Sequence, residues 1–386
     1  MSEKSKKKKV VWQQYIAVVF FMLIGAACGI LMVKYVDATA TPEQTLGEQL
    51  FFLVVLFVLM YVAIFLQIII HEAGHLIFGL LTGYKFSSFR IMSFMWVKEN
   101  RKIKFRRLDL AGTGGQCLMA PPEMKSDKLP VVLYNLGGSL MNVIAGLVFL
   151  GVYFASGSIP FLSTVMLMLA IIGFAFAIMN GVPMRMGTVD NDGYNAFALT
   201  GNHDALRSFW VQMKTNEQIA KGVRLKDMPE EWFTVPSDEE MKNSMVAVMG
   251  VFACNRLVDA HRFEEAEALM EHLLEIDGSI VGLHRSLMVC DRMYCELIGE
   301  NRREVLEQIL TKEQKKFMKS MKKFPAVLRT EYAYTLLLEK DTTKAKRVMA
   351  QFKKCAKTYP YPSDVQSERE LIEIAKIRYE ANFFVL

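Results

Sequence analysis

Cysteine is scarce in this chain, and its spacing excludes two common uses. The six cysteines among 386 residues show neither the paired spacing of zinc fingers nor that of thioredoxin-like redox sites. They are Cys28, Cys117, Cys254, Cys290, Cys295 and Cys355. Because most of them fall in the part that we place in the cytosol below, we expect free thiols rather than disulfides.

A large net charge is also missing. Lysine and arginine number 46 against 40 aspartates and glutamates, which gives a formal net charge of +6. Part of this basic charge is gathered at the N-terminus, where Lys4 and Lys6–Lys9 precede the first apolar run. This placement is typical of the cytosolic flank of a membrane anchor, and we expect no nucleic-acid partner.

A phosphate-binding loop is missing as well. The segment Gly112–Gln116 is rich in glycine, but it lacks the Gly-Lys-Ser/Thr ending and the soluble helix that follow in such loops. We therefore expect no nucleotide site, and we interpret the segment as a flexible re-entrant stretch.

Long apolar runs are abundant in the first half of the chain. Hydrophobic residues make up 52% of the sequence, yet every bilayer-length run lies before residue 200. The four runs are Val11–Val33, Leu50–Leu81, Val131–Phe154 and Phe161–Met179. Because the rest is mixed and charged, we predict a membrane domain over residues 1–200 and a soluble domain over residues 201–386.

The charges of the connecting loops orient the four spans. The stretch from Tyr84 to Pro130 contains ten lysines and arginines, whereas the segment Lys34–Glu48 has one and the turn Ala155–Pro160 has none. The positive-inside rule therefore places the N-terminus, the central loop and the whole C-terminal half in the cytosol.

Three ionisable residues interrupt the second run, within His71-Glu72-Ala73-Gly74-His75. His-Glu-x-x-His is the helix signature of zinc proteases. Positions four apart share one face of a helix, so His71 and His75 can bind the same metal ion. Glu72 is rotated by about 100° from His71, where it can take a proton from a zinc-activated water. Ionisable groups are costly inside a membrane span, so we predict a function for all three.

A catalytic zinc site usually has three protein ligands, so another ligand should come from a neighbouring span. The fourth span ends near Asn180-Gly181-Val182-Pro183, and Asp190-Asn191-Asp192-Gly193 follows. Asp190 and Asp192 are both candidates. We favour Asp192, because Gly193 permits a tight turn that points a short carboxylate inward.

Together these motifs resemble the site-2 protease family, which are intramembrane zinc metalloproteases. The histidine pair and the Asn-x-x-Pro…Asp-Gly segment carry the resemblance, which covers roughly residues 50–195. More residues separate the proline from the aspartate here than in the family's common form. In the third span, Gly138 and Asn142 resemble the family's Gly-x-x-x-Asn motif.

The resemblance implies roles for single residues. Asp192 would complete the metal site of His71 and His75 around one Zn²⁺ per chain, with Glu72 as general base. Asn142 would contact the substrate or polarise its carbonyl. An interhelical hydrogen bond, common in membrane bundles, is the alternative role for Asn142.

The function implied is that of an intramembrane zinc endopeptidase acting on transmembrane or membrane-inserted substrates in the lipid bilayer. Bacterial enzymes of this kind process membrane-bound signalling proteins or leftover signal peptides, so we expect a bacterial plasma membrane. A catalytically idle membrane scaffold and a metal carrier are the competing hypotheses. The intact Glu72 argues against the first, and the scarcity of polar residues in the spans argues against the second.

The central loop contains a strand pattern. Lys102–Arg106 alternates polar and apolar residues, Phe89–Val97 is rich in β-formers, and Lys98–Arg101 supplies a turn. We predict a β-hairpin at the membrane surface. Its edge strand could pair with an extended substrate, or its basic residues could meet acidic lipid headgroups, and the two roles are compatible.

The C-terminal half has helical periodicity. Ala266, Val305 and Ala345 recur about 40 residues apart, each predicted on the second helix of a hairpin. This resembles tetratricopeptide-type repeats, although their usual spacing is about 34 residues. Such a domain would offer a concave face to a cytosolic protein partner, and a plain stabilising domain is the alternative. The predicted fold class is thus an all-α membrane bundle of about four transmembrane helices with a small membrane-associated β-hairpin, plus a cytosolic α-helical, tetratricopeptide-like domain.

Overall fold

A computed structural model describes residues 3–99, 102–109, 114–124, 128–185, 190–276 and 278–383. The chain divides into two compact units. The membrane unit combines Met1–Tyr84 with Pro130–Thr200, and the second unit combines Lys85–Leu129 with Gly201–Leu386.

The membrane unit is built from long apolar helices. They are α1 (Glu3–Thr39), α2 (Leu46–Leu81), α3 (Val131–Ala155) and α4 (Pro160–Gly181), followed by the short α5 (Asp192–Leu199). Tyr15–Thr39 of α1 and the whole of α2, α3 and α4 are long and apolar enough to cross a membrane, which confirms the four predicted runs. The second run begins earlier than predicted, because Thr45 and Glu48 form a capping box that starts α2 at Leu46.

Small residues let α2 and α3 approach closely beside the histidine motif. A Cβ added to Gly74 would lie 2.3 Å from the carbonyl oxygen of Gly137, and one added to Gly137 would lie 2.8 Å from that of Gly74. Glycine contacts of this kind allow membrane helices to pack backbone against backbone. The crossing places the face of α2 that carries His71 and His75 against α3.

The central loop forms a four-stranded antiparallel sheet rather than a single hairpin. The strands are β1 (Lys85–Ile91), β2 (Phe94–Glu99), β3 (Lys102–Arg107) and β4 (Gly115–Ala120), in the order β3-β2-β1-β4. The predicted strand Phe89–Val97 is divided between the end of β1 and most of β2, with a turn between them. Its second part pairs with β3, where Trp96 lies opposite Phe105. Of the predicted turn, Lys98 and Glu99 belong to β2, and Asn100 and Arg101 lie outside the described residues.

The glycine-rich segment was interpreted wrongly. Gly115 and Gln116 begin β4, where Gln116 pairs with Arg90 of β1, so this part is regular sheet and not a re-entrant stretch. Gly112 and Thr113 lie outside the described residues. Sequence periodicity did not reveal β4, because its six residues are too short and too mixed to show alternation.

The sheet belongs with the C-terminal half, which corrects the predicted membership of residues 85–129 in the membrane domain. Met95 and Val97 are 0% exposed and join the hydrophobic core of the helices that follow. On the opposite face, Phe94, Trp96 and Phe105 are exposed. Because β3 lies at the edge of the sheet, it has one side on which an extended substrate could pair. Substrate pairing and contact with acidic lipid headgroups both stay predictions.

The helices of the second unit form antiparallel pairs. The three pairs are α7 (Ser244–Asp259) with α8 (Phe263–Glu275), α9 (Gly282–Ile298) with α10 (Arg303–Ile309), and α12 (Pro325–Ala333) with α13 (Thr342–Ala356). A π-helical turn, Tyr334–Leu338, continues α12. The remaining α-helices of this unit are α6 (His203–Ala220), α11 (Lys312–Ser320) and α14 (Pro362–Phe383), and three short 3₁₀ helices span Leu225–Asp227, Glu230–Phe233 and Glu240–Lys242.

The turn inside each pair has the same backbone conformation. His261, Asn301 and Lys340 have φ angles of 60°, 56° and 56°, and each ends the first helix of its pair in the left-handed region. Ala266, Val305 and Ala345 lie on the second helices, as predicted. The repeat of about 40 residues is thus structural, whereas its assignment to the tetratricopeptide class stays a prediction.

Buried charges join α14 to the helix pairs. Arg329 of α12 is 1% exposed and forms ion pairs with Asp291 of α9 and Glu368 of α14. Asp364 lies one turn before Glu368 and has no ion-pair partner among the described residues. Burial, with the nearby Glu368 and Asp259, raises the pKa of Asp364 to about 7.

We expect the free energy of unfolding of the second unit to fall as the pH rises from about 5 to about 7.5. The folded chain keeps a proton on Asp364 up to a pKa of about 7, whereas the ordinary value is 3.8, so raising the pH favours the unfolded state. Asp364→Asn should flatten this dependence and add on the order of 2 kcal/mol at pH 7.5. The free energy of unfolding at each pH is measured by tryptophan fluorescence during denaturation of the full chain.

A matched control is Glu264→Gln, which removes an exposed carboxylate from the first turn of α8. It should keep the wild-type dependence on pH. Equal slopes for the wild type and Asp364→Asn would contradict the prediction.

Candidate metal centre

Helices α2 and α5 bring three predicted ligands to one point. His71 Nε2 lies 2.9 Å from Asp192 Oδ2, and His75 Nε2 lies 3.3 Å from the same oxygen. The two Nε2 atoms are 3.2 Å apart. Among the described residues, these three side chains form a group whose ligand atoms all lie within 4.8 Å of one another.

Asp190 does not join this group. Its carboxylate lies 3.4 Å from Nε of Arg185, and the two residues also form an isolated β-bridge. Of the two candidates left open by the sequence, the structure therefore brings Asp192 to the histidines.

Asn191 holds Asp192 in place, and sequence reasoning missed it. Its Oδ1 accepts hydrogen bonds from the backbone N–H groups of Met184 and Tyr194, both at 2.9 Å. Its Nδ2 donates to the carbonyls of Met179 and Val182 at 2.7 and 2.6 Å. The side chain thus caps α5 and ties it to the end of α4. An asparagine directly before a helix start is the signal that could have identified it.

Gly193 matters for a reason other than the predicted turn. The described glycines with positive φ are Gly83, Gly201 and Gly222, and Gly193 is the second residue of α5. A Cβ at this position would lie 2.2 Å from the carbonyl oxygen of Gly181. Glycine therefore allows α5 to pack directly on the end of α4. This close packing determines how near Asp192 lies to His71 and His75.

The outer nitrogen of each histidine has an acceptor. His75 Nδ1 donates to the backbone carbonyl of Tyr134 at 2.8 Å, and His71 Nδ1 lies 2.8 Å from Oδ1 of Asn142. A proton held on Nδ1 leaves the lone pair on Nε2, the atom that faces the group.

The Gly-x-x-x-Asn motif serves one histidine. A Cβ added to Gly138 would lie 2.5 Å from the imidazole of His71, so the glycine leaves room for the ring. Asn142, one helical turn later on the same face of α3, is the residue that meets Nδ1 of that ring. The structure thus brings both motif residues to His71.

The donor set fits a zinc ion. Two imidazole nitrogens and one carboxylate oxygen are the ligand set of many catalytic zinc sites, which keep the fourth position open. His71 and Glu72 are each 7% exposed and His75 is 8% exposed, whereas Asp192 is partly exposed. Buried ionisable groups in such number are otherwise unfavourable in a membrane bundle.

Residues 45–214 match the sequence model of the Peptidase M50B-like family. This match covers less than half of the chain, and it supports the resemblance to the site-2 protease (M50) family that the motifs predicted. Members of that family are generally zinc metalloproteases of membranes, and the four span-length apolar helices of this chain agree with a membrane protein. No curated protein and no solved structure matches the chain.

Proposed function

We propose that the chain is an intramembrane zinc endopeptidase that hydrolyses peptide bonds in transmembrane or membrane-inserted substrates. The observation that carries the proposal is the meeting of His71, His75 and Asp192 within a bundle of span-length apolar helices. The family match supports the peptidase class.

The three ligands would hold one zinc ion per chain. When bound, zinc supplies a Lewis acid that lowers the pKa of water towards neutrality. The carboxylates of Asp192 and Glu72 would balance its two positive charges. An electrically neutral centre is the form that a membrane interior tolerates best.

Glu72 supplies the proton transfer. It follows His71 on α2, is buried, and is not one of the three grouped ligands. A carboxylate in this position can accept a proton from the attacking water and then deliver it to the amide nitrogen of the leaving peptide. Its burial keeps bulk water from competing for the proton.

The orientation of the chain is part of the proposal. The basic central loop and the uncharged or acidic outer loops support a cytosolic location for both termini. The proposed membrane is a bacterial plasma membrane, on the family resemblance alone. His71 and His75 lie ten and six residues before the end of α2 at Leu81. In this orientation the cleavage site is in the cytosolic third of the span.

Removing the metal should abolish cleavage. The full chain in detergent is incubated with a panel of tagged bacterial signal peptides and single-span membrane segments, before and after treatment with 1,10-phenanthroline. We expect cleavage products that disappear with the chelator and return when zinc is added, because without the metal Glu72 has no sufficiently acidic water to deprotonate.

A second candidate function is that of a catalytically idle membrane scaffold. The observation that favours it is the repetition of helix pairs α7–α8, α9–α10 and α12–α13, an arrangement that suits binding of a cytosolic protein partner. A zinc-loaded chain that leaves the whole panel intact would favour the scaffold over the peptidase.

A further inference from the structure

We infer that Gln67 is a positioning residue of the metal centre, which fixes the orientation of His71 through the side-chain amide of Asn142. The inference rests on the proposed function, since it assigns Gln67 a task towards a metal ligand. No motif of the sequence includes this residue.

Gln67 lies on the ligand face of α2 and is 0% exposed. It precedes His71 by four residues, so the two side chains project from the same side of the helix. Its Oε1 accepts a hydrogen bond from Asn142 Nδ2 at 2.7 Å, and its backbone carbonyl accepts from the same nitrogen at 3.1 Å. Its Nε2 donates to the carbonyl of Leu169 in α4 at 3.0 Å.

These contacts determine which end of the Asn142 amide faces the histidine. Both oxygens of Gln67 are acceptors, so the amino group of Asn142 points to them and its Oδ1 points to His71 Nδ1. That nitrogen must then carry the proton, which leaves Nε2 free to bind metal. If the Asn142 amide were flipped, its oxygen would face the two oxygens of Gln67 and its amino group would face the N–H of His71. Each buried polar group left unpaired in this way costs about 1–3 kcal/mol.

The neighbouring span is shaped for the glutamine. A Cβ added to Gly173 of α4 would lie 2.8 Å from Gln67 Nε2, so the glycine makes room for the amide beside the Leu169 carbonyl. Three spans, α2, α3 and α4, therefore meet in one chain of hydrogen bonds that ends at His71. Such a chain holds an imidazole ring in a single orientation before metal binds.

Amide side chains suit positions 67 and 142 of this hydrogen-bonded series better than carboxylates do. A carboxylate at position 67 or 142 would add a buried negative charge to a centre that zinc, Asp192 and Glu72 already balance. The Asn142 amide is also fully engaged, because its oxygen meets His71 and its amino group meets Gln67. This favours a positioning role for Asn142 over the predicted contact with substrate.

Zinc affinity tests the inference without any need for cleavage. The affinity of the full chain in detergent is measured by competition with a chelator of known zinc affinity. Gln67→Met, which keeps the length of the side chain, should weaken zinc binding about 10- to 100-fold, the usual effect of losing such a supporting group. Asn142→Ala should weaken it at least as much.

The double variant gives the sharpest result. If Gln67 acts only through Asn142, then Gln67→Met combined with Asn142→Ala weakens zinc binding no more than Asn142→Ala alone. The matched control is Asn135→Leu, which removes a buried amide of α3 whose hydrogen bond within the described part of the chain goes to the Val131 carbonyl of its own helix. The Asn135→Leu variant should bind zinc with the wild-type affinity, because the substitution leaves the hydrogen bonds from Gln67 through Asn142 to His71 intact.

Two results would overturn the inference: unchanged zinc affinity in Gln67→Met, or losses that add in the double variant. A protein that shows the coupled losses but cuts no substrate would instead overturn the peptidase proposal and leave the role of Gln67 supported.

Discussion

Glu72→Gln is expected to stop cleavage while leaving zinc bound. The glutamine has nearly the same shape, and position 72 is outside the group of ligand atoms formed by His71, His75 and Asp192. An amide cannot accept the proton of the attacking water at neutral pH. Loss of a general base lowers the rate by about 10²- to 10⁴-fold. The rate is measured on a cleaved member of the peptide panel, and zinc content by elemental analysis of the same sample.

A matched control for this variant lies on the same helix. Glu48→Gln changes an exposed glutamate of the capping box at the start of α2, two dozen residues before the metal centre. It should cleave at the wild-type rate. Cleavage by Glu72→Gln at the wild-type rate would contradict the role of Glu72 as general base. Loss of zinc from this variant would identify Glu72 as a metal ligand instead.

The second large effect is expected from Asp192→Ala. The carboxylate lies 2.9 and 3.3 Å from the two histidine Nε2 atoms and is the third member of the group that could hold a metal ion. Without it the centre has two ligands, too few for a stable zinc site. We expect zinc affinity to fall by more than about 100-fold, beyond the loss for a supporting residue, and cleavage to vanish with it. Chelator competition measures the affinity.

Asp190→Ala is the control for this change, two residues away on the same segment. It removes only the partner of Arg185, so the variant should bind zinc as the wild type does. Loss of zinc in Asp190→Ala with retention in Asp192→Ala would transfer the ligand role to Asp190.

The membrane half could be predicted well because its signals are local. Four apolar runs, each long enough for a bilayer, became four helices, since hydrophobicity over about 20 residues is sufficient to specify a span. The pair His71 and His75 could be assigned to one face because helical periodicity depends on nothing outside α2. The same holds for the repeating helix pairs, whose period is visible along the chain.

Long-range contacts could not be predicted in this way. The sequence predicted a hairpin, but it did not show what the buried face of β2 packs against: Met95 and Val97 pack into helices more than a hundred residues later. Alternation shows that one face of a strand is buried, and it does not show against what. The sequence likewise offered no reason to single out Gln67, because its hydrogen bonds go to Asn142 and Leu169 on two other spans.

The sequence by itself determined the apolar spans, the helix that carries His71 and His75, and the resemblance to a peptidase family, because each depends on residues that are neighbours along the chain. It left Asp190 and Asp192 both open and attributed Gly193 to a turn. Only the tertiary structure decided these points, since they depend on how closely α5 packs on α4 and on which carboxylate then reaches α2. Distances between elements follow from the packing of whole helices, and no local pattern records them.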